Sequence, residues 1–199
     1  SYFNANENGS GTDHGGRYAA TPLLHDILTV QAVYGADMTT RTSSTTYGFN
    51  STADRGAFDF TQNTNPVVAI WDAGGIDKID VSGWWTNQTV DLREGAYSSV
   101  GYLTDNLAIA YGAEIEQAAG GSGHDDLIGN DLDNVLTGNN GNDTLTAGDG
   151  TDVLFGGAGG DTLDGGNGVD WVRYSESNSG VTVDLGTGAG SGGHAAGDS

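Results

Sequence analysis

Between residues 120 and 173 one apolar residue returns at every ninth position: Leu127, Leu136, Leu145, Leu154, Leu163 and Val172. Each one centres a three-residue segment and predicts a short strand with that side chain turned inward, because strand side chains alternate between faces. Upstream, 66–71, 78–81, 88–92 and 107–111 are short runs rich in Val, Ile, Leu and Thr with turn residues between them, and they predict four more strands. Leu24, Ile27 and Leu28, followed by Gln31-Ala32-Val33-Tyr34, carry helical spacing instead. Thr21 as N-cap, Pro22 at the first helical position and Gly35 beyond the end bound a surface helix over about 22–34. Residues 1–20 are polar and read as irregular chain. Val181–Leu185 predicts one last strand before a Gly/Ser/Ala tail.

The ninth-position signal belongs to six nonapeptides in unbroken register: GGSGHDDLI, GNDLDNVLT, GNNGNDTLT, AGDGTDVLF, GGAGGDTLD and GGNGVDWVR. Position six holds Asp125, Asn134, Asp143, Asp152, Asp161 and Asp170, and position four is glycine in all but the second repeat, where it is Leu132. The pattern resembles G-G-x-G-x-D-x-U-x, the calcium-binding parallel β-helix repeat of RTX proteins. Its chemistry follows from the residues. Glycine permits the tight turn and close backbone approach, and calcium takes six to eight hard oxygens at about 2.3–2.6 Å in a tolerant geometry. Candidate ligands are therefore the position-six side chains together with backbone carbonyls at positions two and four. The latter come from Gly121, Gly123, Asn139, Gly141, Gly148, Gly150, Gly157, Gly159, Gly166 and Gly168. Two nonapeptides make one coil, so turns stack in two rows, Asp125–Asp143–Asp161 and Asn134–Asp152–Asp170, with up to four gaps for ions. The gap using Leu132 and Asn134 is expected to be the weakest, since it lacks a glycine and a charge.

Composition sharpens this picture. The 199 residues carry 27 acidic and 6 basic side chains, a net charge of −21, which argues against nucleic acid and anionic membrane surfaces as partners. Carboxylates at fixed spacing in glycine turns point to a cation instead. A disordered acidic linker would share the composition but not the nine-residue apolar period. One buried apolar side chain per repeat contributes about 1.5–3 kcal/mol, against about 1–2 kcal/mol for ordering each residue's backbone. The repeats therefore need the cation for cohesion, and the chain is expected to fold on reaching calcium outside the cell. There is no cysteine, hence no disulfide framework. No apolar stretch is long enough to span a membrane.

Outside the repeats, Asp72-Ala73-Gly74-Gly75-Ile76-Asp77 is a second Gly/Asp turn of calcium-loop type, for which a plain hairpin turn is the alternative. Trp84-Trp85 is expected to be core packing rather than a sugar platform. The four histidines, at 14, 25, 124 and 194, form no HExxH pair, so no self-contained zinc site is expected. His25 is read as a surface or partly packed residue, and His124, at the variable fifth position of a repeat, is given no role.

Ser1-Tyr2-Phe3, Tyr18–Ile27, Gln31–Ala36, Tyr47-Gly48-Phe49-Asn50, Trp71–Gly75 and Ile115-Glu116-Gln117-Ala118 together resemble the serralysin family of secreted bacterial zinc metalloproteases, in order and spacing over about residues 1–173. The resemblance implies a division into 1–36, the end of a catalytic domain; 37–119, a β-rich segment; 120–173, a right-handed parallel RTX β-roll; and 174–199, a strand and tail. The expected fold class is mainly β with one N-terminal helix. Tyr2 matches the tyrosine after the family's Met-turn, beside the catalytic zinc. The zinc histidines and general base of HExxHxxGxxH belong upstream, so this stretch alone is expected to be inactive. The resemblance also implies carbonyl calcium ligands at Arg41, Ser43 and possibly Thr45, facing Asp72, Gly74 and Asp77. A second site would join Gly75 and Asp77 to Glu114 and Glu116. Secretion by a type I system is implied for the parent. The competing reading is a non-enzymatic module of an RTX adhesin or other large secreted RTX protein, which would need neither the Tyr2 segment nor the helix.

Overall fold

The computed structural model describes residues 19–177, 180, 182–184 and 188–199. In chain order its elements are helix α1 (Leu24–Tyr34) and strands β1 (Thr46–Gly48), β2 (Val68–Ile70), β3 (Lys78–Asp80), β4 (Thr89–Asp91), β5 (Tyr97–Ser98), β6 (Leu107–Ile109), β7 (Gln117–Ala119), β8 (Asp126–Ile128), β9 (Val135–Asn140), β10 (Thr144–Gly150), β11 (Val153–Ala158), β12 (Thr162–Gly168), β13 (Trp171–Val172), β14 (Thr182–Asp184) and β15 (Ala189–Ser191). The described residues are thus mainly β with one α-helix. It divides into two units, one running to Asp80 and taking in Asp91–Ile115, the other made of Val81–Val90 and Glu116–Ser199.

The first unit is held by large side chains. β1 and β3 pair in parallel with Tyr47 opposite Ile79. β2 pairs in parallel with β6, which pairs antiparallel with β5. Tyr47, Phe60, Ile70, Ile79, Leu107 and Ile109 are fully buried, and the Tyr47 ring meets Phe58 edge-on at 5.2 Å. The helix lays Leu24 on Ala69, Ala108 and Ala110, with Ile27 packed alongside; small residues on the strands leave it room. It begins at Leu24 rather than Pro22. Thr21 does not cap it: its hydroxyl accepts the Ala69 N–H at 2.7 Å, and the Asp26 carboxylate takes the Leu23 N–H instead. Tertiary pairing with β2 outbids the capping preference of threonine. Gly35 ends the helix at φ +83°, as its residue type predicts.

The second unit is built on the repeats. Strands of alternate repeats pair in parallel, in the orders β7-β9-β11-β13 and β12-β10-β8. The register sets Leu127, Leu145 and Leu163 side by side in one sheet and Leu136, Leu154 and Val172 in the other. Leu127, Leu136, Leu145 and Leu154 are completely buried, while Val172 is 46% exposed. β9 to β12 run to six or seven residues rather than three, because pairing continues through the glycine positions, Gly148 with Gly166 and Gly150 with Gly168.

In the tail, β15 pairs antiparallel with β14, and Ser199 lies along β12, donating its N–H to the Asp161 carbonyl and accepting the Leu163 N–H. One expectation needs correction. The tryptophan pair is split, with Trp84 buried and Trp85 69% exposed.

Candidate metal centre

From the third repeat on, each turn brings a position-six side chain under the backbone of the turn eighteen residues earlier. Asp143 Oδ1 accepts the Asp125 N–H at 2.8 Å, and Asp161 Oδ1 accepts the Asp143 N–H at 2.9 Å. In the other row Asp152 Oδ1 accepts the Asn134 N–H at 2.7 Å and Asp170 Oδ1 the Asp152 N–H at 3.1 Å. The two predicted rows are therefore two hydrogen-bonded ladders. One of them is longer than the repeats. Gln88 donates its N–H to Asp125 Oδ1 at its start, and Asp198 Oδ1 accepts the Asp161 N–H at its end.

These bonds use one carboxylate oxygen each. The other, Oδ2, is buried and has no hydrogen-bond partner in Asp143, Asp152 and Asp161. A buried carboxylate oxygen left without a donor is costly, and the structure carries that cost three times in equivalent places. Burial raises the carboxyl pKa of Asp125, Asp152 and Asp161 and holds that of Asp143 up at about 7, with the charges of Asp125 and Asp161 adding to the effect at Asp143.

The glycines explain how the turns come this close. A Cβ on Gly141 or Gly159 would overlap the carbonyl oxygen of Gly123 or Gly141 in the turn before, and one on Gly157, Gly166 or Gly168 would overlap that of Asn139, Gly148 or Gly150. Carbonyls at positions two and four thus point along the stack at the next turn. A Cβ on Gly138 or Gly156 would likewise overlap Oδ2 of Asp143 or Asp161. Among the described residues no three His, Cys, Asp or Glu side chains converge. The donor set fits a hard cation held by carbonyls with one or two carboxylates, and does not fit a cage of side chains.

Of the residues that resemblance assigned to it, the Asp72 loop of the first unit meets Ser43 and Thr45. Gly74 and Gly75 take φ +137° and +141°, and a Cβ on Gly75 would meet the Ser43 carbonyl. The Thr45 N–H donates to Asp77 Oδ1 at 2.6 Å, and the Thr45 hydroxyl to the Ser43 carbonyl. The Tyr47 hydroxyl donates to Asp72 Oδ2 at 2.5 Å. Arg41, at φ +52°, uses its guanidinium on the Trp71 carbonyl and on Asp54. Glu114, in the first unit, is exposed; Glu116, in the second, is half-buried, and its carbonyl accepts the Val135 N–H and the Asn134 side-chain amide. Tyr2 lies outside the described residues.

Sequence reasoning missed the fifth position. His124 Nδ1 accepts the Asn142 N–H at 2.7 Å, Asp133 Oδ1 the Thr151 N–H and Asn142 Oδ1 the Gly160 N–H. These form an outer ladder beside the carboxylate one. His, Asp and Asn share only a short-reach acceptor, which is why the position looked variable.

Glycine turns stacked between short parallel strands define a class of parallel-strand repeat proteins, and comparison narrows it. Residues 36–186 match the family model described as Peptidase M10 serralysin C terminal, and the chain belongs to that family. It is 48% identical over 129 residues to Serralysin C of Dickeya chrysanthemi, 64% of this chain and 26% of that protein. It is 47% identical over 137 residues to Serralysin of Photorhabdus luminescens, 68% of this chain and 28% of that protein. With the Metalloprotease AprA of Pseudomonas entomophila it shares 48% over 120 residues, 60% and 25% respectively. The chain spans about a quarter of the length of these relatives.

Proposed function

We propose that this chain is the calcium-folded C-terminal region of a secreted zinc metalloendopeptidase, in which the repeats form a right-handed β-roll that orders on calcium outside the cell and stabilises the enzyme. The observation that carries the calcium reading is the set of buried, unbonded Oδ2 atoms of Asp143, Asp152 and Asp161, each beside turns whose carbonyls project along the stack. Bound calcium would supply positive charge to these oxygens; the chain's own part is to hold them in place through the Oδ1 ladders. The Asp72–Asp77 loop, with the carbonyls of Arg41, Ser43 and Thr45, is a further calcium position on this reading.

The protease reading rests on the family and on relatives named serralysin and metalloprotease. Its zinc ligands and base would lie in an upstream catalytic domain, with Tyr2 reaching the zinc there, and a type I system would export the whole. No helix among the described residues is long and apolar enough to cross a membrane. Residues 1–199 alone should not cleave peptides, and an HExxHxxGxxH upstream in the parent gene would identify the catalytic domain.

The test is a calcium titration of EDTA-stripped protein followed by far-UV circular dichroism. Cooperative gain of β signal at sub-millimolar to millimolar calcium, with magnesium without effect, is expected. A spectrum indifferent to calcium would overturn the reading.

A further inference from the structure

Positions seven and nine of the repeat flank the inward leucine and so face outward, and the two sheets of the second unit fill them differently. Along β8, β10 and β12 position seven is Asp126, Thr144 and Thr162, and position nine is Ile128, Thr146 and Asp164. Along β9, β11 and β13 position seven is Val135, Val153 and Trp171, and position nine is Thr137, Phe155 and Arg173. The parallel register sets Val135 beside Val153 and Trp171, and Thr137 beside Phe155. The Arg173 N–H donates to the Leu154 carbonyl, which carries the second row on to Arg173. One outer face is thus polar, and the other is apolar and aromatic with an arginine at its edge. Phe155 is half-buried on that face and Trp171 is 55% exposed.

The aromatic face opens into a cavity of about 180 Å³. Phe155 and Tyr174 give it ring surface, and Asn140, Arg173, Glu176 and His194 give it polar groups. None of these four polar side chains hydrogen-bonds or ion-pairs with another described residue. The aromatic wall, by contrast, is anchored. The Tyr174 hydroxyl donates to Oδ2 of buried Asp198 at 2.9 Å, and Oδ1 of the same carboxylate accepts the Asp161 N–H.

The donor set decides what such a cavity can hold. Arg173 and Glu176 offset each other, and the chain carries −21 overall, so a phosphate or sulfate would meet one guanidinium in a repulsive field. A wholly apolar ligand would cover polar side chains without giving them partners. Sugar hydroxyls both donate and accept, which suits a guanidinium, a carboxylate, an amide and an imidazole together. The C–H face of a sugar ring suits aromatic rings, whose faces carry partial negative charge. We infer that this face binds a neutral saccharide, with one ring in the cavity against Phe155 and Tyr174 and the next on Trp171. Trp171 is placed for that role two residues before Arg173 on the same side of the strand, roughly 7 Å along it. The site uses positions that the repeat itself leaves free.

Saturation-transfer NMR on the whole chain at saturating calcium tests it, with cellobiose, maltose, lactose and N,N′-diacetylchitobiose as probes. At least one disaccharide is expected to receive saturation from the protein. Arg173→Ala should weaken its binding by about tenfold or more, as for loss of a charged hydrogen-bond donor. Trp171→Ala should weaken the disaccharide by about two- to tenfold and leave the corresponding monosaccharide unchanged. Thr144→Ala, on the polar face, should alter neither. Both Arg173 and Trp171 are exposed, and an unchanged far-UV spectrum checks that their variants fold; Asn140→Ala, also exposed, reads the same cavity if one does not. Transfer to none of the four probes would overturn the inference, as would binding that survives both Arg173→Ala and Trp171→Ala. Transfer to glycylglycine but to no sugar would also overturn it, by showing that Arg173 and Glu176 clamp a zwitterion.

Discussion

The two units solve the same problem with different materials. The first buries aromatic and branched side chains and holds part of its acidic loop with its own donors: Asp72 takes the Tyr47 hydroxyl and Asp77 Oδ1 the Thr45 N–H. The second buries one leucine per strand and stacks carboxylates along two ladders, leaving three buried oxygens unbonded. Both contain short parallel strands and Gly/Asp turns, so secondary structure does not separate them. What separates them is what fills the interior. A unit that rests on large apolar side chains depends less on an imported partner than one that rests on stacked carboxylates.

The largest test of this contrast is chelation. With EDTA the Val68 and Ala110 amides, which donate to Asn106 and Ile70 carbonyls, should retain most of their exchange protection. The Thr162 and Val153 amides, which donate to Asp143 and Asn134 carbonyls, should lose it by orders of magnitude. Comparable losses in both units would erase the distinction.

Next in size are core truncations at saturating calcium. Leu145→Ala should cost about 2–5 kcal/mol in denaturant unfolding, as for other fully buried leucines, and it should also raise the calcium midpoint, because folding and binding in the repeats are one process. Ile79→Ala, equally buried in the first unit, should cost a similar amount and raise the midpoint of the repeats less.

Glycine substitutions give a smaller but sharper comparison. Gly74 has open space where a Cβ would go, so Gly74→Ala meets only its backbone angle, about 1–3 kcal/mol. Gly159→Ala meets a similar angle and the Gly141 carbonyl besides, adding about 1–3 kcal/mol of overpacking. Thermal unfolding of the two variants reads the difference.

The smallest expected effect is that of pH on the metal-free repeats. Burial holds the Asp143 carboxyl at about 7 when folded, against an ordinary 3.8, so the folded form takes up a proton that the unfolded chain releases. That stabilisation is complete below about 4 and is lost as pH rises through about 7. Residual β signal in EDTA should therefore be larger at pH 5 than at pH 8. Calcium must displace the proton, so its apparent affinity should rise over the same interval.

Much of this was legible from residue types. The apolar period fixed the register of the parallel strands and the division of position six into two rows, since a nine-residue period with alternating sheets allows little else. The strands near 68, 78, 89 and 107 followed from β-branched runs between turns. The state of each turn was not legible: Gly121 and Gly148 are the same residue at the same repeat position, yet only Gly148 is left-handed, and residue type does not encode that choice. The Asp198 rung was hidden because its partner Asp161 lies 37 residues away, outside any eighteen-residue period. Thr21 misled because its hydroxyl can serve a neighbouring strand as readily as a helix end.

The eighteen-residue step between rungs also bears on how such a chain can change over generations. Loss or gain of two consecutive nonapeptides shortens or lengthens both ladders by one rung and returns every later residue to its own row. Loss of a single nonapeptide would transpose the rows, setting the Asn134-type turn beneath carboxylates that now pair with their own kind. Duplication and deletion are therefore tolerated in even numbers, and the length of the domain can drift in whole coils.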